Sequence, residues 1–533
     1  MLPFVARPII SARPLDCGDL SPLSLPPTAS RTARTFKPQL LTIALILVSL
    51  ARATHADEPQ PKLGELPWTN KPSAGAKLAS QVTDAKQLLV NVAPSEYDSF
   101  VDGDPLPPDH GTLAKILYRL PRFLPSEIKR LARTDVDWNE LQANPGEHRV
   151  EVVRLEGMVQ SVEVFEMPRE MAELFEFDKQ YLVTMLLPES PGPVIVHALK
   201  VPDAWLAAAG ELNQHAVAEA LFLQVGRDGE GPAFHFAANR IAWLPEQASD
   251  AMKIGPTEVL LAEHGVDVGL METVRERNRK PLDGADYESF YQMLAAARSI
   301  ATGASDIAAQ PMPLVQVLEH PQQFQGQWMS VHGRARRITK IVVESADIRE
   351  RFKIDHYWQI DSLAPVGKTV IQFKTPKPGE EAPTYADAFP MTLCVLELPP
   401  ELEAARLKAE QSGPDATLNE PIQFEGFFYK LWVYRSRYTT QFDDRLMQPS
   451  PMFVAFSPAI ASPAESNPWI GLAAGGGFLI VLSIVWIAVW RMGRRDDAME
   501  KRMTERRQPN DGGSLNDLDL DVKSGPDFSH LDK

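Results

Sequence analysis

The chain has 533 residues, a formal charge of −16 and 44% hydrophobic side chains, a length for several domains and an ordinary globular composition. The excess acid lies in the body of the chain, and such a body repels polyanions, which disfavours nucleic acid as a partner. Only Cys17 and Cys394 occur, so no intrachain disulfide survives removal of the N-terminal region.

Residues 40–51 are an apolar run, preceded by Arg31, Arg34 and Lys37 and followed by small residues. Basic, apolar, small is the order of a secretory signal. It assigns 1–56 to a signal peptide, cleaved after Ala56, with Ala53 as the alternative. Residues 57–104 begin rich in Pro and Lys and read as a linker and the start of a helical lead-in. Helical spacing at Leu113, Ile116, Leu117 and Leu120 predicts one helix, and residues 126–131 a second.

An internal repeat follows. Residues 138–164 align without gaps on 314–340: Pro145 falls on Pro321 and Gly157 on Gly333, an offset of 176. Pro105 and Leu106 keep that offset to Pro281 and Leu282, so the repeat takes in a helical lead-in. Downstream, Pro202 matches Pro400 and Glu219 matches Glu425. Each copy reads as strand, strand, strand, helix, strand, strand. The apolar phase of the first strand slips after Val159 and after Ala335, which predicts a bulge or bend in both copies. An insertion in the second copy, residues 364–390, has the pattern of a hairpin and a Pro-rich loop. Between the copies, 258–278 and 287–298 read as helices.

This strand order, with a Gly-containing first strand and the V-x-L-x-G and V-x-G motifs, resembles the OB fold, a five-stranded Greek-key barrel. The resemblance implies a mainly β, α+β fold class. It gives a first helical plus OB-like module at 105–245, a helical connector at 246–313 and a second OB-like module at 314–461. The layout also resembles exported bacterial proteins with a C-terminal membrane anchor.

The anchor is read at 469–490, which is uncharged, rises about 33 Å and precedes Arg491, Arg494 and Arg495. Residues 462–468 are then a tether and 491–533 a polar, disordered cytoplasmic tail. The expected placement is single-pass in a bacterial inner membrane, the body periplasmic and partnered by envelope proteins. Gly471 and Gly475 form G-x-x-x-G, which lets two copies of the helix pack as a homodimer.

No phosphate loop, nucleophile elbow, zinc-protease motif or dinucleotide fingerprint is present. No catalytic residue, metal or cofactor is assigned. Residues 427–438, FFYKLWVYRSRY, interleave aromatic and cationic side chains as nucleic-acid- and sugar-binding barrels do. They make Phe428, Tyr429, Lys430, Trp432, Tyr434, Arg435 and Arg437 the candidate ligand-binding residues. The function expected is a non-catalytic binding or scaffold protein; the alternatives are a polysaccharide- or oligonucleotide-binding module using that face, and an enzyme of unrecognised class.

Overall fold

The sequence folds as alternating blocks of short helices and long, bent strands. A computed structural model describes residues 4–8, 82–208, 212–228, 231–302, 307–373, 381–413, 417–461 and 475–491. The expected signal peptide, apart from 4–8, lies outside them, as do the tether and nearly all of the tail. Residues 1–461 form one unit and 462–533 another.

In the first copy, α1 (Gly111–Arg119), α2 (Pro125–Leu131) and α3 (Trp138–Ala143) lead into β1 (Val152–Glu166). Then come α4 (Arg169–Phe175), β2 (Lys179–Leu186), β3 (Val194–Ala198), α5 (Asp203–Ala207), β4 (Gln214–Asp228), β5 (Gly231–Ala238) and β6 (Ala242–Trp243). The sheet order is β1-β2-β3-β5-β4-β6, and β1 pairs with β4 as well. The connector holds α6 (Pro256–Glu263), α7 (Leu270–Glu276) and α8 (Tyr287–Thr302). The helix expected at 258–278 is broken, because Gly265 turns left-handed at φ +81° and Asp267 is turned into the interior.

The second copy contains β7 (Gln310–Pro311), α9 (Leu314–Glu319), β8 (Trp328–Val342), α10 (Ala346–Phe352) and β9 (His356–Pro365). The insertion supplies β10 (Thr369–Phe373) and β11 (Thr384–Tyr385), which pair with each other, and β10 pairs with the backbone of Phe4–Pro8. The copy ends with β12 (Ala388–Val395), α11 (Pro400–Ser412), β13 (Glu420–Tyr434), β14 (Gln448–Ala455) and β15 (Ala459–Ile460). Its sheet order is β15-β13-β14-β12-β9-β8-β7, with β8 also on β13. In each copy the third and fifth long strands run parallel, β3 with β5 and β12 with β14.

The repeat holds at the level of single hydrogen bonds, with donors at the offset of 176 and their partners on the fourth long strand at an offset of 206. Val150 N–H donates to Phe222 O at 2.7 Å, and Gly326 N–H to Phe428 O at 2.8 Å. Val150 and Gly326 both take a left-handed conformation, φ +71° and +77°, which a β-branched residue adopts only under constraint. Pairing skips Gln160 between β1 and β2, and Arg336 between β8 and β9. The bulge therefore falls where the apolar phase slips. The downstream match needs a one-residue correction. Pro202 and Pro399, not Pro400, are the N-caps of α5 and α11, and the parallel pairs end at Ala198–Ala238 and Val395–Ala455.

The architecture is mixed α+β, with main sheets of six and seven strands in each of which the first long strand pairs with the fourth as well as the second. The expected transmembrane helix is overturned. Residues 475–491 are helical, and 469–474 of the expected span lie outside the described residues. No helix among the described residues is long and apolar enough to cross a membrane. The membrane, single-pass, inner-membrane and periplasmic assignments fall with it. Of the two glycines of the expected homodimer contact, Gly471 lies outside the described residues.

The connector is held by both copies. Glu272 on α7 accepts from the N–H groups of Asp203 (2.7 Å) and Ala204 (2.9 Å) at the first turn of α5, an interaction that the helix dipole favours. On the other side, Arg351 of α10 pairs with Glu288 and Asp347, each at 2.7 Å. Asp347 in turn accepts from Ser126 N–H of α2 at 2.7 Å.

Candidate functional site

Strand β13 carries the aromatic and cationic run singled out above, and the fold covers it on both faces. Phe428 and Leu431 belong to the core of the second sheet, while Phe427, Tyr429 and Trp432 pack into the cluster beneath α8. A bulge at Tyr429 lets neighbouring side chains serve both clusters. Lys430 Nζ lies 2.9 Å from Asp286 Oδ1, with both side chains 0% exposed. Tyr429 donates its hydroxyl proton to Asp286 O at 2.8 Å and lies 2.9 Å from Ser289 Oγ. Burial pushes the Asp286 carboxyl up and the Lys430 ammonium down, and the attraction between them opposes both shifts.

Tyr429, Lys430 and Trp432 are thus part of the seat of the connector and Phe428 of the sheet core, and all four are buried. Tyr434 is half-buried at the strand end, and Arg435 and Arg437 are exposed beyond it. The acid that neutralises Lys430 lies 144 residues away in sequence, which is why the strand alone reads as a basic surface.

A cleft exists instead in the first copy, where the segment before α1 meets the sheet. Its cavity of about 460 Å³ is lined by Lys86, Val92, Pro94, Tyr97, Asp98, Phe100, Gly146 and Arg149. Arg149 is fixed: Nη1 donates to Leu223 O at 2.6 Å and Nη2 to Asp102 Oδ2 at 2.7 Å. Its side chain is 11% exposed, with the guanidinium 5.9 Å from the centre of the Phe100 ring. Phe100 stacks on His110 at 5.0 Å, which holds the aromatic wall in place. Burial, then the charges of Asp84 and Glu96, push the Tyr97 phenol up, so it stays protonated and able to donate.

The other chemistry-bearing residues are dispersed. Glu219 pairs with Arg154 at 3.0 Å, and its counterpart Glu425 is exposed. Among the described residues no group of three His, Cys, Asp or Glu side chains is placed to hold a metal ion. His197 and His235 form a buried pair, Nε2 to Nδ1 at 3.3 Å, on the strand pair β3–β5. The corresponding positions on β12–β14 are Cys394 and Met452.

No family model and no curated protein matches this sequence. Among solved structures, asparaginyl-tRNA synthetase from Pyrococcus horikoshii complexed with asparaginyl-adenylate is similar over 42% of this chain, at 13% identity and a TM-score of 0.12. The match spans about half of that synthetase, 51%. A likeness at that level carries no argument about fold or function.

Proposed function

We propose that the chain is a binding protein whose ligand site is the cleft lined by Tyr97, Phe100, Gly146 and Arg149. The observation that supports this most is the cavity itself. It combines apolar and aromatic walls with a fixed guanidinium, the composition of small-molecule sites. A scaffold role is compatible with it, because the connector ties the two sheets through Glu272 on one side and Lys430 with Asp286 on the other. The polysaccharide- or oligonucleotide-binding alternative rests in large part on Phe428, Tyr429, Lys430 and Trp432, which are buried.

Gly146 offers the cleanest test. Gly146 lines the cleft, and a Cβ added there meets nothing within 4 Å, so Gly146→Trp adds bulk at the cleft wall with room for its first carbon. A panel of small metabolites screened by thermal shift is expected to contain ligands that raise the Tm of the full chain and leave Gly146→Trp unmoved. Ligands that shift both proteins equally would contradict the assignment.

A further inference from the structure

The two copies place different side chains on one hydrogen-bonding frame, and the difference points to a ligand class. In the second copy, Asn278 Oδ1 accepts from Leu431 N–H at 2.9 Å, and Gln325 Nε2 donates to Tyr429 O at 3.0 Å. In the first copy Asp102 and Arg149 stand at the offset of 176 and reach strand residues at the offset of 206: Asp102 Oδ1 accepts from Val225 N–H at 3.1 Å, and Arg149 donates to Leu223 O at 2.6 Å. Neutral amides hold the bulged strand in one copy, and a charged pair makes the same backbone contacts in the other. The charge is surplus to the fold.

The surroundings differ in the same sense. Gln325 is 2% exposed, whereas Arg149 borders the open cleft. Gly103 stands where the second copy has Arg279, whose guanidinium donates to Leu318 O and Glu319 O, both at 2.9 Å. Gly103 and Arg279 share the left-handed conformation, φ +89° and +61°. The first copy thus lacks a large side chain that the second carries at this seam. Of the five N–H donors of a guanidinium, contacts among the described residues take two in Arg149. Lys86, exposed on the same cleft, adds a second cation. Asp98 also lines the cleft.

We propose that this cleft takes a small organic anion: an acidic headgroup on Arg149 and Lys86, with a flat apolar body against Phe100 and Tyr97. The proposal rests on the cleft being the binding site, and adds the chemistry of what enters it. Arginine forks suit planar acid groups, and aromatic walls suit a flat body.

The test is fluorescence titration of the full chain with 8-anilinonaphthalene-1-sulfonate, an aromatic anion. One saturable site is expected, at least tenfold weaker in Asp102→Asn/Arg149→Gln, the pair that the second copy already uses. The unfolding midpoint of that variant should stay close to the parent. Lys86→Gln, at an exposed position, should weaken binding severalfold with no change in stability. Benzoate or phenyl phosphate should displace the probe, their ratio separating carboxylate from phosphate preference, and benzylamine should not. Undiminished binding in both variants, or displacement by benzylamine as effective as by benzoate, would overturn the anion assignment. Absence of saturable binding, or equal binding by Gly146→Trp, would instead overturn the cleft as the site.

Discussion

Asp286→Ala should destabilise the chain by about 3–5 kcal/mol, because it leaves the Lys430 ammonium buried without its counter-charge. The reverse truncation, Lys430→Met, should cost less. Asp286 would still accept from Asp283 N–H at 3.1 Å and face Arg277 Nε at 3.7 Å, and methionine refills the channel with apolar volume. The double substitution should recover much of the Asp286→Ala loss, since an apolar replacement of a buried pair is often neutral. Guanidinium denaturation of the four proteins in a double-mutant cycle measures this. Additive costs below about 1 kcal/mol each would mean that the pair is hydrated and the connector loosely seated.

The second large effect is acid sensitivity from His197. This ring is 0% exposed, stacks on His235 at 5.6 Å, and its Nδ1 meets no hydrogen-bond partner among the described residues. Burial, and then the charge of His235, hold its pKa down to about 3 against an ordinary 6.5. Between these values the unfolded chain binds a proton that the folded chain refuses, so stability rises with pH across that window. Taking the chain from pH 7 to pH 4 should cost about 3 kcal/mol from this group alone. His197→Cys, which installs the side chain found at the matching position of β12, should remove that part of the slope. Denaturation curves at pH 7, 5.5 and 4 test this, and identical slopes for parent and variant would contradict it.

Much of the fold is legible in the residues. The offset of 176 is visible at Pro145 and Gly157, runs back through the lead-in, and reappears in the left-handed pair Val150 and Gly326. The slipped phase in both first strands marks the bulges at Gln160 and Arg336. Other features have no local signature. Helix α4 buries none of its residues, so no apolar stripe announces it. The inward turn of β13 depends on Asp286 and Ser289, which are remote in sequence. Residues 469–490 satisfy a hydropathy argument, yet no helix among the described residues is long and apolar enough to cross a membrane.

The cleft was hidden for a different reason. It is lined by Gly146, which leaves space, and by Arg149, which is held by Asp102 47 residues away. A pattern search finds what is present at a spacing. Reading Asp102 and Arg149 against Asn278 and Gln325 at the repeat offset would have shown a charged pair replacing a neutral one.

Brief acetylation of the native chain, with peptide mass spectrometry, tests most directly which of the two surfaces is open. Lys86 on the cleft should react at the rate of a free surface lysine, while Lys430 stays unmodified until the chain is unfolded. Modification of Lys430 as fast as Lys86 in the folded protein would place β13 at the surface and contradict the account.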